Sequence, residues 1–352
     1  MSVDWTKSYS SSWRVMRVNE FTWADEEILT GVDSISISRD CSDDVPLLET
    51  ASLEVSQEVG ASLPFAFYRV EMIASQNGSE NLEVLGTFLF GKSDKTTDKN
   101  RDILSLNGQS VLWPASKRYM NDGDYAPKGF DGADYCVRLL RKSLPFGVKI
   151  SAEGSFTLDD HIVFDHSSTY LDAVWYILDA AGWCIKLDGY GNITIQESPT
   201  EASLILDQAH ACILFPEIKE DKDITEIPNV YKVIDGNVVV EVVNDSETSE
   251  TSTTSKLGIV IEEIDDSPSL INGESLEMYA KRQLQSNSTI VVNKTYEREY
   301  WPDVRPFDIV TGSIEGAGLV GKMRVLQQTL TCGKGITISE TAGKEEILWE
   351  VE

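Results

Sequence analysis

Residues 280–315 read AKRQLQSNSTIVVNKTYEREYWPDVRPFDIVTGSIE. The pattern predicts a helix ending near Ser286 and a strand from Thr289 to Glu299. The loop from Tyr300 to Pro306 follows, and a second strand carries Asp308, Ile309 and Val310. Pro302 and Pro306 fix φ and have no amide to donate, so the loop is stiff and is expected to set the register of a hairpin between the two strands. No catalytic constellation lies in or beside it. Trp and Arg are enriched where interfaces concentrate their binding energy. Trp301, Asp303 and Arg305 are therefore candidate interface residues. The alternative for Trp301 is that it covers the end of its own barrel.

Outward from this stretch, the chain reads as mainly β with an α/β insert. Residues 1–12 form a polar arm, and 13–118 a first β-barrel domain. Its strands are expected at 13–18, 27–30, 34–39, 51–56, 67–73, 82–90 and 102–110. Ile35 and Ile37 alternate with serines, as a half-buried strand requires, and Asn77-Gly78 marks a hairpin tip. Residues 119–215 switch to mixed α/β. Asp131 caps a helix running to about Lys142, before Pro145. A second helix starts with Ser168 or Thr169 as N-cap and ends at Gly182. The strands 183–187 and 193–195 follow, around a turn containing Gly189 and Gly191.

Residues 216–340 return to strands as a second β-barrel domain, and 341–352 form a C-terminal strand or tail. Strands 230–234 and 237–243 make a hairpin around Asp235-Gly236. The valine-rich second strand would aggregate if exposed, so it is expected to be paired inside a sheet or across subunits. Residues 244–256 are rich in Ser and Thr and read as a mobile hairpin tip. A helix at 273–286 leads back to the opening stretch.

Composition narrows the function. A chain of 352 residues suggests two or three domains. No run of about 18 apolar residues marks a membrane span, and no secretory h-region follows the N-terminus. Cys41, Cys136, Cys184, Cys212 and Cys332 are scattered, without a CxxC pair. They argue against a disulfide framework or structural zinc and fit small buried hydrophobes made in a reducing cytosol. Thirty Lys and Arg against 58 Asp and Glu give a net charge of −28. DNA-binding proteins neutralise phosphates with cations, so stable DNA binding is not expected.

No nucleophile elbow, P-loop, dinucleotide fingerprint or HExxH motif is present. His161 and His166 each follow an aspartate, and His210 stands apart. On a strand, His161 and His166 would point to opposite faces, so no metal or acid/base site is assigned there. Asp159-Asp160 and Asp265-Asp266 read as turn acids of an acidic chain. No catalytic, cofactor-binding or metal-binding residue is assigned.

The stretch 280–310 resembles the hub proteins at the distal end of phage tails, in contractile and non-contractile tails and in phage-like particles. In that family a helix with an Ala-Arg-x-Leu-like core leads into a strand. An aromatic-Pro-Asp-x-Arg-Pro-Gly-Asp-x-Val loop and strand follow. The matching residues here are Ala280, Arg282, Leu284, Trp301, Pro302, Asp303, Arg305, Pro306, Asp308 and Val310. Phe307 departs from the family's Gly, which allows φ > 0 as Phe does not do cheaply. The helix leading into the 183–195 hairpin is a second point of resemblance.

The resemblance implies a homotrimer in which each chain supplies two tail-tube-like β-barrels. The resulting pseudo-hexameric ring would adapt a sixfold tube to a threefold tip, with the α/β insert outside. Implied partners are the tail tube or distal tail protein ring, the tape measure protein, and a tip spike, fibre or tail-tip protein. The implied place is the virion tail tip or baseplate, assembled in the host cytoplasm, with no membrane anchor. The acidic charge then has two readings: solubility, or a lumen repelling DNA within a Debye length of about 8–10 Å. Homologues often carry a C-terminal hydrolase, peptidase or fibre-anchoring extension. This chain ends soon after the second barrel, so such activity is expected in a partner and not in this chain. The alternatives are a β-rich host-binding adhesin at the tail tip and a cell-wall or glycan hydrolase using Asp159 and Asp160.

Overall fold

The structure is a computed structural model. It describes residues 3–5, 7–42, 46–56, 63–98, 101–121, 123–207, 218–255, 258–268, 275–302, 304–333 and 336–349. The chain begins with β1 (Ser10–Val18), β2 (Asp25–Leu29), β3 (Val32–Asp40), β4 (Glu49–Ser56), β5 (Ala66–Gln76), β6 (Ser79–Asp98) and β7 (Arg101–Ser110). Then come β8 (Tyr125–Ala126), α1 (Gly132–Ser143), β9 (Ile150–Ala152), β10 (Ile162–Val163), α2 (Tyr170–Ala181), β11 (Trp183–Leu187), β12 (Ile193–Glu197) and β13 (Ala202–Leu206). The remainder is β14 (Lys219–Asp221), β15 (Val230–Asp235), β16 (Val238–Val243), β17 (Glu262–Asp265), α3 (Leu276–Asn287), β18 (Thr289–Glu299), β19 (Ile309–Ile314), β20 (Leu319–Cys332) and β21 (Ile336–Ile347). Two compact units result: Met1–Ile218 with Tyr296–Ala342, and Lys219–Thr295 with Gly343–Glu352.

In the larger unit the strand order is β21-β20-β3-β4-β7-β6-β5-β1-β2, with β19 beside β20 and β13 beside β19. The mainly β architecture with an α/β insert is as expected. Among the described residues no closed barrel is present. Side-chain alternation builds the sheet: Ile35 and Ile37 of β3 and Ala51, Leu53 and Val55 of β4 are buried on one face. Strand β5 is buried on both faces, from Ala66 through Met72. Tyr68, Val70 and Met72 enter one core, while Phe67 joins a second core formed with the insert. The tip Asn77-Gly78, both at positive φ, closes β5 and β6 with Gln76 opposite Ser79, the geometry of a two-residue hairpin.

The N-terminal arm is docked, not free. Val3 is buried, and the Trp5 ring meets Tyr9 at 5.1 Å and Tyr300 at 5.7 Å. Val3, Trp5 and Tyr9 are its apolar anchors.

The insert follows its local signals. Asp131 accepts from Ala133 N and Asp134 N at the start of α1. Thr169 and Asp172 form a capping box on α2, which ends on Gly182 in the left-handed region. Leu139, Leu140, Leu171, Val174, Ile177 and Leu178 of the two helices pack with Ile185, Ile193 and Ile195. The β11–β12 turn reaches the main sheet, where Thr87 Oγ1 donates to Gly189 O at 2.9 Å and Trp23 Nε1 to Tyr190 O at 2.7 Å.

The opening stretch yields its elements but not their pairing. β18 runs over the expected residues, yet it lies beside β21 and β14, whereas β19 pairs with β20 and with β13. The strands on either side of the stiff loop are therefore not a hairpin. Local turn stiffness says where strands start; backbone pairing is decided by long-range partners.

In the smaller unit the sheet order is β16-β15-β17, with Gly236 at positive φ in the expected hairpin turn. Helix α3 packs on it: Tyr279, Ala280 and Leu284 meet Tyr231, Val233 and Val242. The valine strand β16 is paired with β15 on one edge, and its Val238 and Val239 are exposed.

The Ser/Thr-rich stretch is not a hairpin tip, because β16 and β17 lie on opposite sides of β15. Residues 244–255 form successive turns, with Ser249 N, Ser252 N and Ser255 N bonded to the carbonyls of Ser246, Ser249 and Ser252. Asn244 is fully buried and donates to Ser249 Oγ at 2.9 Å. Short polar side chains can satisfy nearby backbone without a hydrophobic core. The serine at every third position supplies these backbone bonds.

Candidate functional site

The Tyr300–Asp308 loop is supported by a polar network inside the larger unit. Arg305 is buried; its Nη1 is ion-paired with Glu49 Oε1, and its Nη2 donates to Leu85 O at 3.3 Å. Arg39 Nη1 donates to Gln328 Oε1 at 2.9 Å and Nη2 to Leu85 O at 2.6 Å. Arg39 Nε lies 3.2 Å from Glu49 Oε1 but off the hydrogen-bonding direction, so this is an ion contact only. Gln328 Nε2 donates to Glu340 Oε2 at 2.7 Å and to Val304 O at 2.9 Å. Glu340 also accepts from Arg298 Nη2 at 2.5 Å and from Tyr296 OH at 2.6 Å.

Three guanidiniums and two carboxylates thus sit together in the interior. Burial, with repulsion from Arg305, lowers Arg39 to about 10 against the pull of Glu49. It remains charged at neutral pH. Burial alone would raise the Glu340 carboxyl, but Arg298, Tyr296 and Gln328 together hold it below its ordinary value. Burial beside Glu340 pushes the Tyr296 phenol well above 10, so it donates as a neutral group.

Asp308 completes the loop, accepting from Arg305 N at 2.9 Å and from Lys186 Nζ at 2.8 Å. Phe307 has φ +75°, so this chain keeps the left-handed backbone without the glycine. Its N–H donates to Val325 O at 3.0 Å, its carbonyl accepts from Arg324 Nη1 at 3.0 Å, and its ring stacks on Trp175 at 6.3 Å. These contacts offset a left-handed cost of about 1–2 kcal/mol. Phe307→Ala is expected to destabilise the chain by about 2–3 kcal/mol through loss of the half-buried ring. Phe307→Gly is expected to be more stable than Phe307→Ala by about 1 kcal/mol. Urea unfolding of the three proteins decides this, and the reverse order would show that the backbone is unstrained.

Of the candidate interface residues, Arg305 points inward, and Trp301 is half-buried against the cluster of Leu204, Leu206, Tyr296 and Val304. Asp303 lies outside the described residues. Arg39, Glu49, Arg298, Gln328 and Glu340 were not singled out from the sequence. Their signal was parity: Arg39 continues the inward series of Ile35 and Ile37, and Glu340 that of Ile336 and Ile338. A charged residue at an inward position announces a buried partner.

The other acidic and histidine positions that are described are exposed or bonded to neighbouring groups. His161 is exposed, and its Nδ1 accepts from Lys128 N at 3.2 Å. His166 is exposed beside Asp165 at 3.3 Å, and His210 lies outside the described residues. Asp159 and Asp160 are exposed. Asp265 is held low mainly by the 2.6 Å hydrogen bond from Tyr279. Among the described residues no three His, Cys, Asp or Glu side chains could hold a metal ion. The four cysteines described are free thiols, three of them buried; Cys212 lies outside the described residues. No helix described is long and apolar enough to cross a membrane.

No protein-family model and no curated protein matches the sequence. Solved structures do match the fold. A tail protein from Neisseria meningitidis MC58 aligns with a TM-score of 0.62 at 12% identity, covering 97% of this chain and 98% of that one. The 43 kDa tail protein of prophage MuSo2 from Shewanella oneidensis aligns at 0.61 and 12% identity, covering 95% and 98%. An E. coli component of the type VI secretion system, described as structurally similar to the T4 bacteriophage tail proteins gp27 and gp5, aligns at 0.50 and 8% identity, covering 91% and 74%.

Proposed function

We propose that this chain, whose fold is that of tail proteins, is a non-enzymatic structural hub of a phage or phage-like tail tip. The observation that carries the reading is a shared fold over nearly the full length of both chains. The hub is a homotrimer whose strand-rich regions make a pseudo-hexameric ring. One face meets the tail tube or distal tail protein ring, and the other the spike, fibre or tail-tip protein. The tape measure protein approaches along the axis, and DNA passes without specific binding. A net charge of −28 supports a lumen that repels phosphates. Trp301 and Asp303 form part of a subunit or partner contact, with Arg305 holding their loop from behind.

Light scattering is expected to give a mass of three chains, and averaged electron micrographs a central channel with sixfold-looking inner symmetry. A monomer without a channel, even after candidate tube proteins are added, overturns the hub. Trp301→Ala is expected to weaken association about 30-fold, the effect of losing one hot-spot residue of about 2 kcal/mol. An unchanged mass on dilution removes Trp301 from the contact.

A further inference from the structure

We propose that the smaller unit carries a binding cleft for an uncharged glycan, between the Ser/Thr-rich turns and the segment from Ile347 to Trp349. The cleft has a volume of about 770 Å³, within the range of small-ligand pockets. Its two walls differ in chemistry. One is made by Asp245, Ser246, Glu247, Thr248 and Ser249, the other by Ile347, Leu348 and Trp349. A pyranose has the same division, with C–H groups on its flat face and hydroxyls around its edge. The Trp349 ring offers a flat apolar surface with a polar N–H. Ionised carboxylates accept hydrogen bonds in pairs, which suits adjacent hydroxyls.

Each wall is held by contacts behind it. Trp349 packs on the cluster of Tyr231, Val242, Tyr279 and Leu284, and Leu348 N donates to Ser288 O at 2.9 Å. Buried Asn244 holds the turns from inside. Lys222 Nζ lies 3.2 Å from Glu250 and 3.4 Å from Glu346, which ties the two walls together. A site ordered beforehand loses less entropy on binding. Asp245 and Glu247 are exposed, and among the described residues their carboxylates have no hydrogen-bond or ion-pair partner. These carboxylates repel anionic ligands, so the class is an uncharged sugar and not a nucleic acid or an acidic polysaccharide.

The test uses the full chain displayed on beads and a printed array of uncharged bacterial surface oligosaccharides that includes N-acetylglucosamine oligomers. Retention on at least one glycan is expected, and high salt should leave it unchanged. Asp245→Asn combined with Glu247→Gln removes exposed, unbonded charges, so the fold is kept; retention should fall about tenfold. Trp349→Ala should fall at least as far. Absence of retention, or retention that survives both variants, overturns the proposal. So does binding only to poly-lysine that salt abolishes, which would make the cleft a socket for a basic partner. A trimer that ignores the array rejects this cleft and keeps the hub; a monomer that binds it does the reverse.

Discussion

Glu340→Ala is expected to lower the unfolding free energy by about 3–5 kcal/mol, the effect of removing one partner from a buried ion pair. The carboxylate receives Arg298, Tyr296 and Gln328 at 2.5, 2.6 and 2.7 Å. Its loss leaves the fully buried Arg298 without its anion. Domains are stable by only about 5–15 kcal/mol, so a large share of the total is at stake. Urea unfolding at neutral pH measures it, and a change below about 1 kcal/mol would mean that the network is energetically idle. Glu340→Leu with Arg298→Met and Tyr296→Phe, which also removes the hydroxyl bonded to Glu340, should recover most of the loss, because well-packed apolar residues often replace a buried pair at no net cost.

The same carboxylate sets an acid limit. Its folded-state pKa lies below the ordinary 4.5, so the unfolded chain takes up the proton first as pH falls. The stabilisation is present above about pH 4.5 and is lost as pH drops through the folded value. Tyr296 acts at the other end. Its folded pKa is well above 10, so its contribution is complete below pH 10 and is lost as pH rises beyond it. Glu340→Gln should flatten the acid limb of a stability-versus-pH curve; an unchanged limb would assign acid unfolding to other carboxylates.

Gly189→Ala is the second large effect, expected at about 3 kcal/mol or more. A Cβ on Gly189 would lie 1.8 Å from Val84 O, and backbone cannot yield as a side-chain tip can. The turn would have to withdraw from β6. That breaks the Thr87 bond to Gly189 O and the Trp23 bond to Tyr190 O, and it pulls Tyr190 from beneath the Arg69 guanidinium, 4.8 Å from its ring. Overpacking costs about 1–3 kcal/mol, and each lost hydrogen bond adds roughly 0.5–1.5 kcal/mol. Hydrogen exchange should show lost protection in β11 and β12 before the main sheet opens. Stability within about 0.5 kcal/mol of the parent would mean that the insert is not docked through this turn.

Much of the local structure was legible. The seven strands of the first region, the caps at Asp131 and Thr169, the stop at Gly182 and the tips at Asn77-Gly78 and Gly236 depend on neighbours in sequence. Periodicity, capping and turn chemistry act over that range. The loop motif at 301–310 likewise pointed toward the tail fold. What local reading could not supply was who meets whom. β18 and β19 part company across their stiff loop because β21 and β20 outcompete a hairpin. The guanidiniums of Arg39, Arg298 and Arg305 converge only after strands from both ends of the chain come together. Phe307 holds a left-handed φ because Trp175, Val325 and Arg324 reach it from elsewhere. Sequence alone determined the segments and their inward parity. Tertiary structure decided their partners, because strand pairing and the burial of charge depend on contacts hundreds of residues apart.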